Sequence, residues 1–112
     1  MLFRSAWRDA TKFAEDGELH YRLAQALANE DRHKEAVEAY EMALDRGDLK
    51  DQHDVEFWMG ISLMQLESWS KAKTAFRSAS KDRGKAKQCR QYIRYIEGEQ
   101  KRQEELKKML EA

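Results

Sequence analysis

Proline is absent from all 112 residues. No position therefore has the fixed φ and missing N–H with which proline ends a helix or stiffens a linker. Glycine is scarce as well: Gly17, Gly47, Gly60, Gly84 and Gly98, four of which stand where helix ends or tight packing are expected. Cys89 is the single cysteine, which excludes an internal disulfide and a cysteine-rich metal site. Net charge is lacking too. Lys plus Arg number 21 against 21 Asp plus Glu, which argues against a nucleic-acid binder. No apolar run approaches the roughly 18 residues that mark a membrane-spanning helix, so no membrane insertion is expected. The opening MLFRSAWRDATKF mixes charge and apolar residues too closely for a signal peptide, so the export signal of any exported parent chain is expected outside this sequence.

What is present is charge and aromatic bulk. Charged residues make up 38% and hydrophobic residues 41%, and three Trp, four Phe and four Tyr supply enough core material to argue against disorder. This balance predicts thin helical layers with wide solvated faces, in one domain.

Helical periodicity runs throughout. Phe3, Trp7, Ala10 and Ala14 form a stripe over residues 2–15, closed by Asp16 and Gly17, with Asp16 the expected cap of the next helix. Leu19, Leu23, Ala24 and Leu27 form the next stripe. A polar turn follows, with Asp31 the expected N-cap of a helix carrying Ala36, Val37, Tyr40, Ala43 and Leu44. Gly47 closes that helix, and residues 48–54 read as a longer polar loop. Residues 57–79, FWMGISLMQLESWSKAKTAFRSA, read as a second pair of helices turning near Glu67 and Ser68. Gly60 lies inside the first of them, where it costs about 1 kcal/mol relative to Ala. Its presence there predicts the close approach of a second helix backbone. Gly84 separates this hairpin from a last helix beginning near Lys85, with Cys89, Tyr92, Ile93 and Ile96 on its packing face.

The two hairpins overlay at an offset of 36 residues: Leu23, Ala24, Leu27, Ala36, Tyr40 and Ala43 match Met59, Gly60, Leu63, Ala72, Phe76 and Ala79. This pattern resembles the tetratricopeptide repeat, W-x2-L-G-x2-Y then A-x3-F, with a period of about 34 residues. The resemblance covers nearly the whole chain. It implies an all-α fold, a right-handed superhelix of antiparallel helix hairpins with a long C-terminal helix. Residues 2–15 would be the second helix of a partial repeat, 17–50 and 53–83 two repeats, and 85–111 a terminal capping helix. Three positions depart from the pattern. His20 and Glu56 occupy the first aromatic slot, Asp48 and Gly84 the late proline slot, and Arg94 a slot for a small residue. The segments AWRDATKFAEDGELHYRLAQAL, RGDLKD and QYIRYIEGEQKRQEEL are also similar to the C-terminal repeats of bacterial tetratricopeptide proteins associated with TonB–ExbB–ExbD systems. That similarity implies a longer parent chain, extended N-terminally, and an accessory role in a periplasmic envelope complex; without it the expected compartment is cytoplasmic.

No catalytic constellation is visible. His20, His33 and His53 are far apart, with no H-E-x-x-H pairing, and there is neither a phosphate-binding glycine loop nor a nucleophile elbow. Lys85, Lys87 and Arg90 near Cys89 would favour a thiolate, but its place on the apolar stripe favours a buried structural thiol. No enzyme activity, cofactor or metal is expected.

A binding module is the better reading. The resemblance places Tyr21 and Gln25 on the first wall of a groove, Phe57, Trp58, Ile61 and Met64 on the second, and Lys87, Arg90 and Arg94 on the third. The second hairpin's core needs Met59, Gly60 and Leu63, which leaves Phe57, Trp58, Ile61 and Met64 as surplus apolar residues of the kind that mark interaction sites. The competing expectation is that Phe57 or Trp58 fills the slot vacated at Glu56. The basic side chains point to an acidic protein or peptide partner. Charge is also segregated: residues 15–56 hold thirteen acids against five bases, and residues 71–94 hold nine bases against Asp82. This offers self-association as an alternative. Nucleic-acid binding through the basic half is disfavoured, because those bases are not interleaved with exposed aromatics. The tail EQKRQEELKKMLEA carries only Leu106, Met109 and Leu110 as an apolar stripe. It is expected either to pack back on the second hairpin as a cap or to frame a partner or dimer contact.

Overall fold

A computed structural model describes residues 17–112; the helix expected at residues 2–15 and the cap expected at Asp16 lie outside the described residues. Among the described residues all regular structure is helical: α1 (Glu18–Asn29), α2 (His33–Arg46), α3 (Gln52–Gln65), α4 (Trp69–Ala79) and α5 (Arg83–Glu111). Each helix packs chiefly on its neighbour in sequence, so the chain folds up and down as two hairpins followed by one long helix.

The offset of 36 residues reappears as matched geometry. Ala24 and Gly60, Leu27 and Leu63, Ala36 and Ala72, Tyr40 and Phe76, and Ala43 and Ala79 are all buried. The two turns share their closing bonds: the Asp31 N–H donates to Ala28 O and the Glu67 N–H to Met64 O, both at 3.0 Å. The Arg32 N–H donates to Leu27 O and the Ser68 N–H to Leu63 O, both at 2.9 Å. Asp31 and Glu67, again 36 apart, take φ of 61° and 57°. The left-handed residue, rather than a capping side chain, thus sets each turn. Asp31 is not the N-cap; Arg32 and Ser68 hold those positions without a side-chain cap bond. Gly47, at φ 76°, ends α2 with its N–H on Ala43 O, in a backbone region that favours a residue without Cβ.

Two boundaries differ from expectation. The loop after α2 is shorter than residues 48–54, because the Asp51 side chain accepts from the Asp54 N–H at 3.2 Å and starts α3 at Gln52. Gly84 does not separate elements. Asp82 caps α5 by accepting from the Gly84 N–H at 3.0 Å, which places that glycine in the first turn.

The expected close approach at Gly60 is real, but its cause is different. A Cβ there would lie 2.9 Å from Cε1 and Cζ of Phe76, so an aromatic ring, not a helix backbone, fills the space. Phe76 in turn stacks on Tyr92 of α5, with ring centroids 5.0 Å apart and planes within 10°. Phe57 meets both, at 5.6 Å and 5.8 Å. This three-ring cluster joins α3, α4 and α5. The first hairpin has a smaller core of its own around Tyr40, Leu27 and Val55, and Met59 touches both cores. α3 buries residues around much of its circumference, as a helix flanked by neighbours must.

Polar bonds set the spacing between hairpins. The Tyr21 hydroxyl of α1 donates to Asp54 Oδ2 of α3 at 2.7 Å. At the same end of α3, Lys85 Nζ of α5 reaches Asp51 Oδ2 at 3.0 Å and Asp82 Oδ2 at 2.8 Å, with Asp54 Oδ1 at 3.9 Å. The N-terminal turn of α3 is therefore tied to α1 on one side and to α5 on the other.

Candidate functional site

The ties at the base of α3 leave a cleft farther along the α1–α3 seam. Its walls are Gln25, Ala28 and Asn29 of α1, His33 and Tyr40 of α2, and Trp58, Ile61 and Ser62 of α3, enclosing about 380 Å³. Three of the sequence-predicted residues, Gln25, Trp58 and Ile61, meet here.

Trp58 is the most exposed of the cleft's large side chains at 42%, and its ring lies edge-on to Phe57 at 5.3 Å. Repeat equivalence shows why its exposure matters. The residue 36 positions earlier is Arg22, also exposed. The first hairpin fills its core without an apolar side chain at this position, so the core does not require Trp58. Phe57 behaves oppositely. At 6% exposure it belongs to the three-ring core and is not a groove residue. The two expectations for this pair divide between neighbours, with Phe57 turned inward and Trp58 outward.

Tyr21 stands on the same seam, half-buried and held by Asp54. Burial first, then the hydrogen bond to that carboxylate, pushes its phenol well above the usual range. The hydroxyl is a fixed donor and is already engaged. Tyr40, buried at the floor, is pushed up to about 12, chiefly by burial. Met64 is partly buried against the second core. Lys87, Arg90 and Arg94 are exposed on α5 and do not line the cleft.

Sequence reasoning missed the cleft's polar floor. His33 Nδ1 lies 3.1 Å from the Oγ of buried Ser62, and His33 Nε2 lies 3.7 Å from Asp31 Oδ1. The available signal was positional. His33 is the repeat equivalent of Trp69, so both hairpins put a ring at the first residue of their second helix. Asn29, one turn after Gln25, was missed as well. Together they present two primary amides along α1, each with donors and an acceptor suited to a peptide backbone.

A second hollow of about 270 Å³, between α2, α3 and α4, is lined by Glu41, Glu56, Met59, Leu63, Lys71, Thr74, Ala75 and Ser78. None of the sequence-predicted groove residues line it. The buried Glu56 carboxylate at its edge lies 2.7 Å from His53 Nδ1. The position that departs from the repeat pattern is thus occupied by a paired polar group.

Cys89 is buried, and burial pushes its thiol up more strongly than nearby Lys85 draws it down. It is a packing residue, not an activated nucleophile. Among the described residues, no group of three or more His, Cys, Asp and Glu is placed to hold a metal ion, and no helix is long and apolar enough to cross a membrane. Comparison with family models, curated proteins and solved structures returned no match.

Proposed function

We propose that this chain is a protein-interaction module of the tetratricopeptide type, its hairpins forming a right-handed superhelical array. It takes a segment of a partner protein in the cleft between α1 and α3 and catalyses nothing. The observation that carries this reading is the outward-facing Trp58 at a position the repeat does not need for its core. Aromatic side chains of this kind dominate binding energy at interfaces. Gln25 and Asn29 would hold the segment's backbone while Trp58 and Ile61 cover an apolar side chain. Farther along the array, Lys87, Arg90 and Arg94 on α5 would favour acidic residues in the same segment. An accessory role in a bacterial envelope complex belongs to the same proposal and rests on the segment resemblance alone; co-purification of the tagged chain with ExbB and ExbD from membranes tests it.

Selection of a random peptide library on the immobilised chain tests the cleft. Enriched peptides should carry an apolar residue followed by acids, and Trp58→Ala should weaken them by at least about tenfold with helicity unchanged. Unfolding of Trp58→Ala, or full retention of peptide affinity, would refute the assignment.

A further inference from the structure

Alternate helices share one side of the array. α1, α3 and α5 run parallel, and contacts among them join residues about one repeat apart: Tyr21 with Asp54, Asp51 with Lys85, and Phe57 with Tyr92. Residues 101–112 of α5 are exposed throughout and do not pack back as a cap, so this side of the body ends near Gln100. Arg22, Trp58 and Arg94 are repeat equivalents, one from each of the three helices, and all are exposed. They form a row across the array, with the indole in the middle and a guanidinium on either side.

The charge of that row is unengaged. Arg32 and Arg102 reach Glu30, Glu35 and Glu99 within the chain, whereas Arg22 and Arg94 form no ion pair among the described residues. The acids on the same helices are committed elsewhere. Glu18 Oε1 accepts from the Lys50 N–H at 2.9 Å, and Asp54 accepts from the Tyr21 hydroxyl. Glu56 is paired with His53, and Glu97 lies 3.9 Å from Lys73 Nζ. Two uncompensated cations thus flank an exposed aromatic ring.

We infer, resting on the peptide-binding role of the cleft, that its ligand is a segment whose apolar anchor has an acidic residue on both sides. The indole of Trp58 covers the anchor, Arg22 takes one carboxylate and Arg94 takes the other. A guanidinium can hold a carboxylate through two parallel N–H bonds. Neighbouring helices lie about 8–10 Å apart. A segment in the polyproline II form advances about 3.1 Å per residue and turns once in three, so residues about 9 Å apart share a face. The acids therefore stand about three residues before and about three after the anchor. A nucleic-acid strand fits less well. Its phosphates are continuous, and Glu18, Asp54 and Glu97 stand one turn from the row on the three helices. Two separate carboxylates, one at each end of the row, avoid them.

Fluorescence anisotropy with a labelled synthetic peptide tests this. The probe has one leucine as anchor and an aspartate three residues to each side; companion peptides carry asparagine in place of either aspartate or both. Each aspartate should strengthen binding by about fivefold at low salt. Arg22→Gln should abolish the gain from one aspartate and keep that from the other, and Arg94→Gln should do the reverse. Both side chains are exposed, so circular dichroism should show the fold unchanged. If Trp58→Ala weakens binding but neither arginine variant loses an aspartate's gain, the inference is overturned while the cleft stands. If none of the peptides binds, or Trp58→Ala has no effect, the cleft falls and the inference with it. Tighter binding of oligothymidylate, dependent on Arg22 and Arg94, would overturn it in favour of a nucleic-acid ligand.

Discussion

The two hairpins share a frame and differ in what hangs on it. Their crossing positions, closing turn bonds and left-handed turn residues coincide. The divergence lies one residue beyond the buried slot of the first helix. Tyr21 keeps its hydroxyl at the seam and bonds Asp54, whereas its equivalent, Phe57, turns fully into the core. The slot before it holds His20 in one copy and Glu56 in the other, both buried. The frame therefore tolerates polar residues where the repeat pattern calls for aromatics, provided that a neighbouring ring or a paired partner closes the space. The second hairpin solves this with three packed rings; the first relies on Tyr40 and small side chains.

The largest effect should separate those two cores. Phe76→Ala and Tyr40→Ala remove equivalent buried rings, each costing about 3–5 kcal/mol. Phe76 also makes two close ring contacts, with Phe57 and Tyr92, while Tyr40 meets Tyr21 at 6.1 Å. Aromatic pairs add about 0.5–1.5 kcal/mol each beyond burial, so Phe76→Ala should be the costlier by about 1 kcal/mol. Urea denaturation of both variants measures the difference. Equal losses would mean that the ring cluster adds nothing beyond area.

A smaller effect probes the pair Ala24 and Gly60. On helix propensity alone, Gly60→Ala should stabilise by about 1 kcal/mol. The new methyl would instead press on a Phe76 ring already held between Phe57 and Tyr92. Overpacking of this kind costs about 1–3 kcal/mol, so the expected net is a loss of about 1 kcal/mol. A gain on thermal denaturation would show that the ring moves freely and that the second core is looser than its geometry suggests.

The helical frame was legible because helix periodicity and the 36-residue match depend on spacing, which sequence displays directly. Gly47 was legible for the same reason, since a glycine after an apolar stripe has few other uses. The turns were misread at Asp31 because its side chain resembles a cap while its backbone φ does the work. The Gly60 approach was read correctly as crowding but assigned to backbone, because nothing in the spacing shows which side chain swings into the gap. Phe57 and Trp58 are adjacent and similar in chemistry, and only the packed rings of α4 and α5 decide which turns inward. The His33–Ser62 contact and the Lys85 cluster join residues about thirty apart, at positions no local pattern singles out.

The junctions that follow the two hairpins offer the finest distinction. The first hairpin is joined to α3 by a phenol hydrogen bond whose donor stays protonated far into alkali. The second is joined to α5 by the ring cluster and, at the N-terminal turn of α3, by the Lys85–Asp51 ion pair. Lys85 holds the Asp51 and Asp82 carboxyls below the usual range, and those carboxylates raise Lys85 above 10.5. A lowered carboxylate stabilises fully above its unfolded pKa of about 4, and the contribution disappears as pH falls through the lowered folded value. The lysine's share is present below its unfolded value and is lost as pH rises through the raised one. Lys85→Met should therefore melt a few degrees below wild type at neutral pH, a small effect because these groups are largely solvated. The gap should close in acid below about pH 4 and shrink in strong alkali, while Tyr21→Phe should lower the melting temperature without closing in alkali until the phenol itself ionises. Melting curves from pH 2 to 10 read the acid limb, and their extension to about pH 12 reads the onset of the alkaline one. A Lys85→Met gap that persists unchanged into acid would show that the lysine acts through its packed methylenes rather than its charge.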